Sequence, residues 1–138
     1  MDRWTGITEY LNPGVRAEIS EITSLKGIAD RSVDFVFASN IFEHLTQADL
    51  ALCLSEVRRV LRPGGTINIV QPNYRFCYAE YFDDYTHVAI YSDRSLSDFL
   101  SANGFKVLTC TPRFLPLTIK SRLPVFPLLI RAYLYVRR

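Results

Sequence analysis

The feature that most constrains this chain is a short apolar run, Phe35-Val36-Phe37-Ala38, passing directly into the small polar residues Ser39-Asn40. A continuous run of this length suits a strand buried on both faces, as in a parallel sheet; a strand with one wet face would alternate. A parallel neighbour requires a crossover connection, and the sequence supplies one. Thr46 with Asp49 three residues on makes a capping box. Behind it Leu50, Cys53, Leu54, Val57, Val60 and Leu61 fall on one helical face, and the helix is expected to stop at Pro63-Gly64-Gly65. Thr66 to Val70 reads as the next strand, followed by a polar and aromatic loop over residues 72–91. A second helix is expected to be capped near Ser92 or Asp93, to face inward with Leu96, Phe99 and Leu100, and to end at Asn103-Gly104. Phe105 to Cys110 then reads as a further strand, and Val15 to Ile19, alternating after the turn Asn12-Pro13-Gly14, as an early one. Strands alternating with helices give an α/β fold: a mostly parallel sheet with flanking helices.

At 138 residues and 49% apolar content the chain can bury a core. Its six glycines, Gly6, Gly14, Gly27, Gly64, Gly65 and Gly104, never form G-x-G, so neither a dinucleotide loop nor a P-loop is present. Charge is uneven. Residues 1–98 hold all 14 acids against 9 bases, whereas the stretch after Asp98 holds seven bases and no acid. A basic, proline-broken tail over 112–138, with a short helix expected from Pro127, suits peripheral contact with an anionic membrane, and a nucleic-acid partner is not expected. Solvated charges that keep an apolar tail in water are the simpler alternative. Cys53, Cys77 and Cys110 are odd in number and widely spaced, which fits a reducing cytoplasm and argues against zinc held by thiols. The longest apolar stretch, Leu123 to Ile130, is broken by prolines and far short of the roughly 18 residues a membrane span needs.

In an open parallel sheet, ligands sit beyond the carboxyl ends of the strands. Ser39-Asn40-Ile41-Phe42-Glu43-His44-Leu45 is therefore the segment to examine. Glu43 and His44 either face a ligand there or serve to orient the helix that follows.

DFVFASNIFEHL, followed about fifteen residues later by EVRRVLRPGG, resembles the class I S-adenosylmethionine-dependent methyltransferases of the type 11 group. Asp84-Tyr85-Thr86-His87 and the Ser95-Leu96 to Gly104-Phe105 segment match later motifs of that family in order and spacing. The resemblance implies a Rossmann-like fold. It makes residues 1–111 a partial methyltransferase domain, from the third to the sixth strand, and implies methyl transfer to a small-molecule or glycan-like acceptor. Glu21 and Ile22 match the positions that border the adenine. Ala38, Ser39, Asn40 and Glu43 match positions along the cofactor. His87 and His44, the chain's two imidazoles, are the candidate catalytic bases. Some relatives hold a divalent metal through E-x-x-E-H and a later His; here Asn40 replaces one carboxylate, and no metal is expected.

The family's glycine-rich cofactor loop has no counterpart in this sequence. The chain is accordingly expected to be a truncated domain, weak or inactive in binding S-adenosylmethionine. The competing expectation is a non-catalytic module that acts through a partner, or as a homodimer joined along an exposed sheet edge.

Overall fold

The computed structural model describes residues 14, 15, 20–113 and 135. The expected strand residues 16–19 and nearly all of the tail and its helix lie outside the described residues. Within them the order is β1 (Val33–Ser39), a 3₁₀ turn (Phe42–His44), α1 (Gln47–Val60), β2 (Leu61–Val70), α2 (Tyr74–Cys77), a second 3₁₀ turn (Tyr81–Asp83) and α3 (Asp93–Ala102). β1 and β2 pair in parallel, with α1 as the crossover between them.

α1 forms where the sequence places it. Thr46 caps it, its hydroxyl oxygen accepting from the Asp49 N–H at 3.1 Å and its O–H donating to the Asp49 carboxylate at 2.7 Å. Leu50, Cys53, Leu54, Val57 and Val60 are buried along one stripe. That stripe packs with Ala38 of β1, and with the half-buried Val36, Ile67 and Ile69 of the two strands. Phe42, Tyr91 and Leu100 close the same core. α3 carries a full capping box between Ser92 and Ser95 and presents Leu96, Phe99 and Leu100 to the core, as its pattern requires.

The loop from Leu25 to Ser32 is fixed to α1 by one arginine. Arg59 donates to the carbonyls of Leu25 (2.8 Å) and Ile28 (2.9 Å), to Glu56 and to Asp30. Glu56 in turn accepts from the Leu25 N–H at 2.8 Å. The Arg59 hydrogen bond, reinforced by the Leu25 amide, holds the Glu56 carboxyl below its ordinary pKa.

Four sequence expectations change. The helix ends at Val60, before Pro63, and ladder pairing starts at Leu61. Val33 pairs with Leu61 and Phe35 with Thr66, so Arg62 to Gly65 form an excursion within the pairing. Gly64 takes φ +83°, and a Cβ on Gly65 would stand 3.0 Å from the Arg62 carbonyl and 3.1 Å from that of Asp34. Residues 105–110 do not form a strand, because no strand among the described residues lies beside them to complete a ladder; Phe105 alone packs on the core and Leu108 is 72% exposed. The 72–91 loop is not irregular throughout, containing α2 and the Tyr81–Asp83 turn around the buried Tyr81. Finally, β1 is covered on one face only by the described residues, with Phe35 and Phe37 exposed on the other.

The packing assigns very different weights to two neighbouring leucines of α1. Leu54→Ala should destabilise the fold by about 3 kcal/mol, and Leu52→Ala, at an exposed position, by less than about 0.5 kcal/mol. Urea unfolding of the two variants beside the parent chain checks this.

Candidate active site

Parallel pairing in this register sets Ser39 opposite Val70, so both strands end at the same level. The Asn40 N–H extends the ladder to the Val70 carbonyl at 2.8 Å. Asn40 then turns the chain with φ +51°, a left-handed conformation that asparagine tolerates better than most residues. The 3₁₀ turn Phe42–His44 follows, burying both Phe42 and Glu43.

Glu43 fastens a distant loop to this turn. Its backbone carbonyl accepts from Val88 N–H (2.9 Å) and Ala89 N–H (3.1 Å). The buried Tyr81 hydroxyl donates to the Ala89 carbonyl at 2.6 Å, and burial pushes the Tyr81 phenol up to about 12. The loop carrying His87 is thereby held against the turn carrying His44. The two imidazoles stand 4.9 Å apart between ring centroids, with the Tyr81 ring 4.6 Å from His87.

The hydrogen bonds fix which nitrogen of each imidazole is free. His87 Nδ1 lies 2.7 Å from the Tyr81 carbonyl, and His44 Nδ1 lies 3.2 Å from the Thr86 carbonyl. A carbonyl oxygen only accepts, so each Nδ1 carries the proton and each neutral ring keeps its lone pair on Nε2. Thr86 completes the set. Its hydroxyl donates to Asp84 and accepts from His44 Nδ1 at 2.9 Å. The Thr86 hydroxyl and then its N–H hold the Asp84 carboxyl below its ordinary pKa, with His87 and His44 adding weaker attraction.

Four buried side-chain oxygens have no hydrogen-bond partner among the described residues: both carboxyl oxygens of Glu43, Oε1 of Gln71 and the Tyr91 hydroxyl. Gln71 follows β2 directly, and Glu43 lies in the turn after β1. An unsatisfied buried polar group costs about 1–3 kcal/mol. Such groups at the ligand-binding end of a parallel sheet await donors from elsewhere.

Ala38, Ser39 and Asn40 therefore stand where the sequence expects them, at the end of β1, and Glu43, His44 and His87 come together beside them. Glu21 and Ile22 lie in a turn that precedes β1. Glu21 is exposed in a tight turn, its carbonyl accepting from Ser24 N–H at 2.9 Å. The Ile22 side chain packs on the core. Gln71 and Tyr81 were missed by sequence reasoning. Gln71 was legible as the first residue past a predicted strand; Tyr81 carried no periodic signal in an aromatic loop.

Residues 7–69 match the methyltransferase domain family. The match covers just under half of the chain. A SAM-dependent methyltransferase from Archaeoglobus fulgidus has the same fold, with a TM-score of 0.62 at 21% identity over 91% of this chain and 61% of that one. An uncharacterized 37.1 kDa protein in a transposon of Streptomyces fradiae is 34% identical over 97 residues, 70% of this chain and 26% of that protein. An uncharacterized protein of Mycobacterium tuberculosis is 36% identical over 56 residues, 41% of this chain and 18% of its own length. The chain thus spans about a quarter or less of the curated relatives it matches. No helix among the described residues is long and apolar enough to cross a membrane.

The Glu43 carboxyl burdens the fold rather than supporting it. Glu43→Leu, which replaces the unpartnered group by an apolar one of similar volume, should raise the unfolding free energy by about 1–3 kcal/mol. Urea unfolding in metal-free buffer reads the difference; a loss of stability would show that the carboxyl has a partner.

Proposed function

We propose that the carboxyl end of the sheet carries methyl transfer from S-adenosylmethionine to a hydroxyl of a small-molecule or glycan-like acceptor. One observation carries the reading. Two imidazoles, each with Nδ1 tied to a backbone carbonyl, keep their Nε2 lone pairs free beside the flush strand ends. The unpartnered acceptors fit a cationic, donor-rich ligand such as this cofactor. Ala38, Ser39 and Asn40 would line it, Gln71 Oε1 would accept from it, and Glu43 supplies the negative charge that a cation requires.

When bound, the cofactor supplies an electrophilic methyl group on a sulfonium. The chain's part is to align the acceptor hydroxyl in line with that methyl group and to take its proton. His87 Nε2, with the imidazole held by the Tyr81 carbonyl and packed on the Tyr81 ring, is the base in this reading. His44, held through Thr86 and Asp84, stands beside it. The Asp84 carboxylate Oδ2 stands 3.9 Å from His87 Nε2. The 138 residues contain no G-x-G spacing, so weak affinity for the cofactor, on the order of millimolar, belongs to this reading.

S-adenosylhomocysteine should shift the amide NMR signals of Ser39, Asn40 and Gln71 at such concentrations. His87→Gln should leave those shifts intact while slowing methyl transfer to a panel of sugar and small hydroxyl acceptors by roughly 10²–10⁴-fold. Amide signals unmoved at those positions would remove the cofactor from this end of the sheet.

The exposed Phe35, Phe37 and Val70 on the outer face of the sheet favour a second reading. In it the chain acts as a non-catalytic module that pairs with a second copy through that face and the adjoining sheet edge. Light scattering should then show a dimer that Phe37→Lys disperses, and a clean monomer at high concentration would count against it.

A further inference from the structure

We propose that the basic tail, together with the Phe76 surface from which it departs, docks on the surface of a bilayer rich in anionic phospholipid. The charge of the sequence is the first ground. Residues 113–138 carry six bases, Arg113, Lys120, Arg122, Arg131, Arg137 and Arg138, and no acid. Apolar stretches stand between them: Phe114-Leu115, Leu123 to Ile130 with its two prolines, and Ala132 to Val136. Bases attract an anionic surface, and apolar side chains between them enter the boundary between headgroups and acyl chains.

The structure shows where this tail is tethered. The Asn73 side chain donates to the Pro112 carbonyl at 3.0 Å, and the Arg113 guanidinium stands over the Phe76 ring, 5.8 Å from its centroid. Arg75 stands 5.9 Å from the same centroid. The Asn73 amide also donates to Asp93 at 3.0 Å, which fastens the tether to the first turn of α3. Phe76 is nonetheless half exposed, and Tyr78, two residues on, is exposed. Exposed aromatic rings flanked by guanidinium groups put apolar surface and positive charge in one place, as an anionic lipid interface requires. The segment that leads into the tail adds to this surface, with Lys106, Val107 and Leu108 all exposed.

Charge and composition favour lipid over other anionic partners. Arg75 is paired with Asp93 at 3.2 Å, so the net positive charge comes from the tail. There the bases are separated mainly by apolar residues, whereas a nucleic-acid backbone is met by bases interspersed with polar donors. The acids Glu80, Asp83 and Asp84 confine the contact to the Phe76 end of the 72–91 loop. No helix among the described residues is long and apolar enough to cross a membrane, and the proposed contact lies on the bilayer surface. Asn73 follows the end of β2 by three residues, so the tether sits at the carboxyl end of the sheet and docking brings that end toward the lipid. The surface uses neither imidazole nor Glu43 and stands whether or not methyl transfer occurs here.

The test sediments the full 138-residue chain, without cofactor, with vesicles of phosphatidylcholine alone or mixed with phosphatidylglycerol. The chain should sediment with the mixed vesicles only, and raising the salt from about 0.1 M to about 1 M should weaken the binding. Each Lys or Arg at an anionic surface contributes roughly fivefold in affinity, so Lys120→Gln combined with Arg122→Gln should weaken binding by more than about 10-fold. Phe76 is half exposed and takes no part in the core. Phe76→Ala should therefore leave urea unfolding unchanged while weakening vesicle binding by roughly 3- to 10-fold. No sedimentation with the mixed vesicles, equal sedimentation with phosphatidylcholine alone, or full affinity in either variant would overturn the surface. Duplex DNA that strips the chain from the vesicles at equal phosphate would overturn it too, by assigning the tail to nucleic acid.

Discussion

Burial of the α1 stripe is the constraint on which the rest depends. Two parallel strands cannot be joined by a hairpin, and α1 both connects them and covers their inner face. Once Leu50, Cys53, Leu54, Val57 and Val60 are out of water, the entry to the helix is fixed at Thr46 and its exit at Leu61. Arg59, on the last turn of the same helix, then gathers the preceding loop by its carbonyls. The buried face thus positions a strand on either side and the loop beneath.

The site is assembled from the same economy of contacts. Glu43 contributes its main chain to structure and its side chain to chemistry. The carbonyl accepts from the His87 loop, and the buried carboxyl is left without a protein partner. Tyr81 acts similarly, its hydroxyl bracing Ala89 while its carbonyl orients His87. These residues bring two imidazoles forty-three positions apart in sequence into ring contact. The cost is an unsatisfied acid in the core, of the kind that proteins keep at functional positions.

Much of this was legible in the sequence. The apolar periodicity of α1 and both helix caps appear as read, because propensity, capping and burial agree at those residues. Ser39 to Leu45, Glu43 and His44 among them, were legible from the strand-end rule as the segment to examine, and Ala38 and His87 only through the family resemblance. What escaped depends on contacts made across the fold. The 105–110 segment has strand composition, yet a strand exists only where a neighbour offers a ladder. The exposure of Phe35 and Phe37 could not be read from an apolar run, since such a run reports the side chains and not what covers them. Tyr81, Gln71 and the double hydrogen bond to the Glu43 carbonyl have no periodic signature, and only the folded backbone reveals them.

The Arg62 to Gly65 excursion has a consequence for how this architecture can vary. It lies between two paired positions of the same strand pair, Val33 with Leu61 and Phe35 with Thr66, and so sets the phase of β2 against β1. Side chains on a strand alternate, so adding or deleting one residue there would turn Ile67 and Ile69 outward and Asn68 into the core. It would also shift Gln71 off the level of Asn40, dislocating the floor of the site. The close approach of Gly65 to the Asp34 carbonyl leaves no slack to absorb such a change. The Pro-Gly-Gly turn is therefore the chain's timing element, whose length is dictated by chemistry at the far end of the strand.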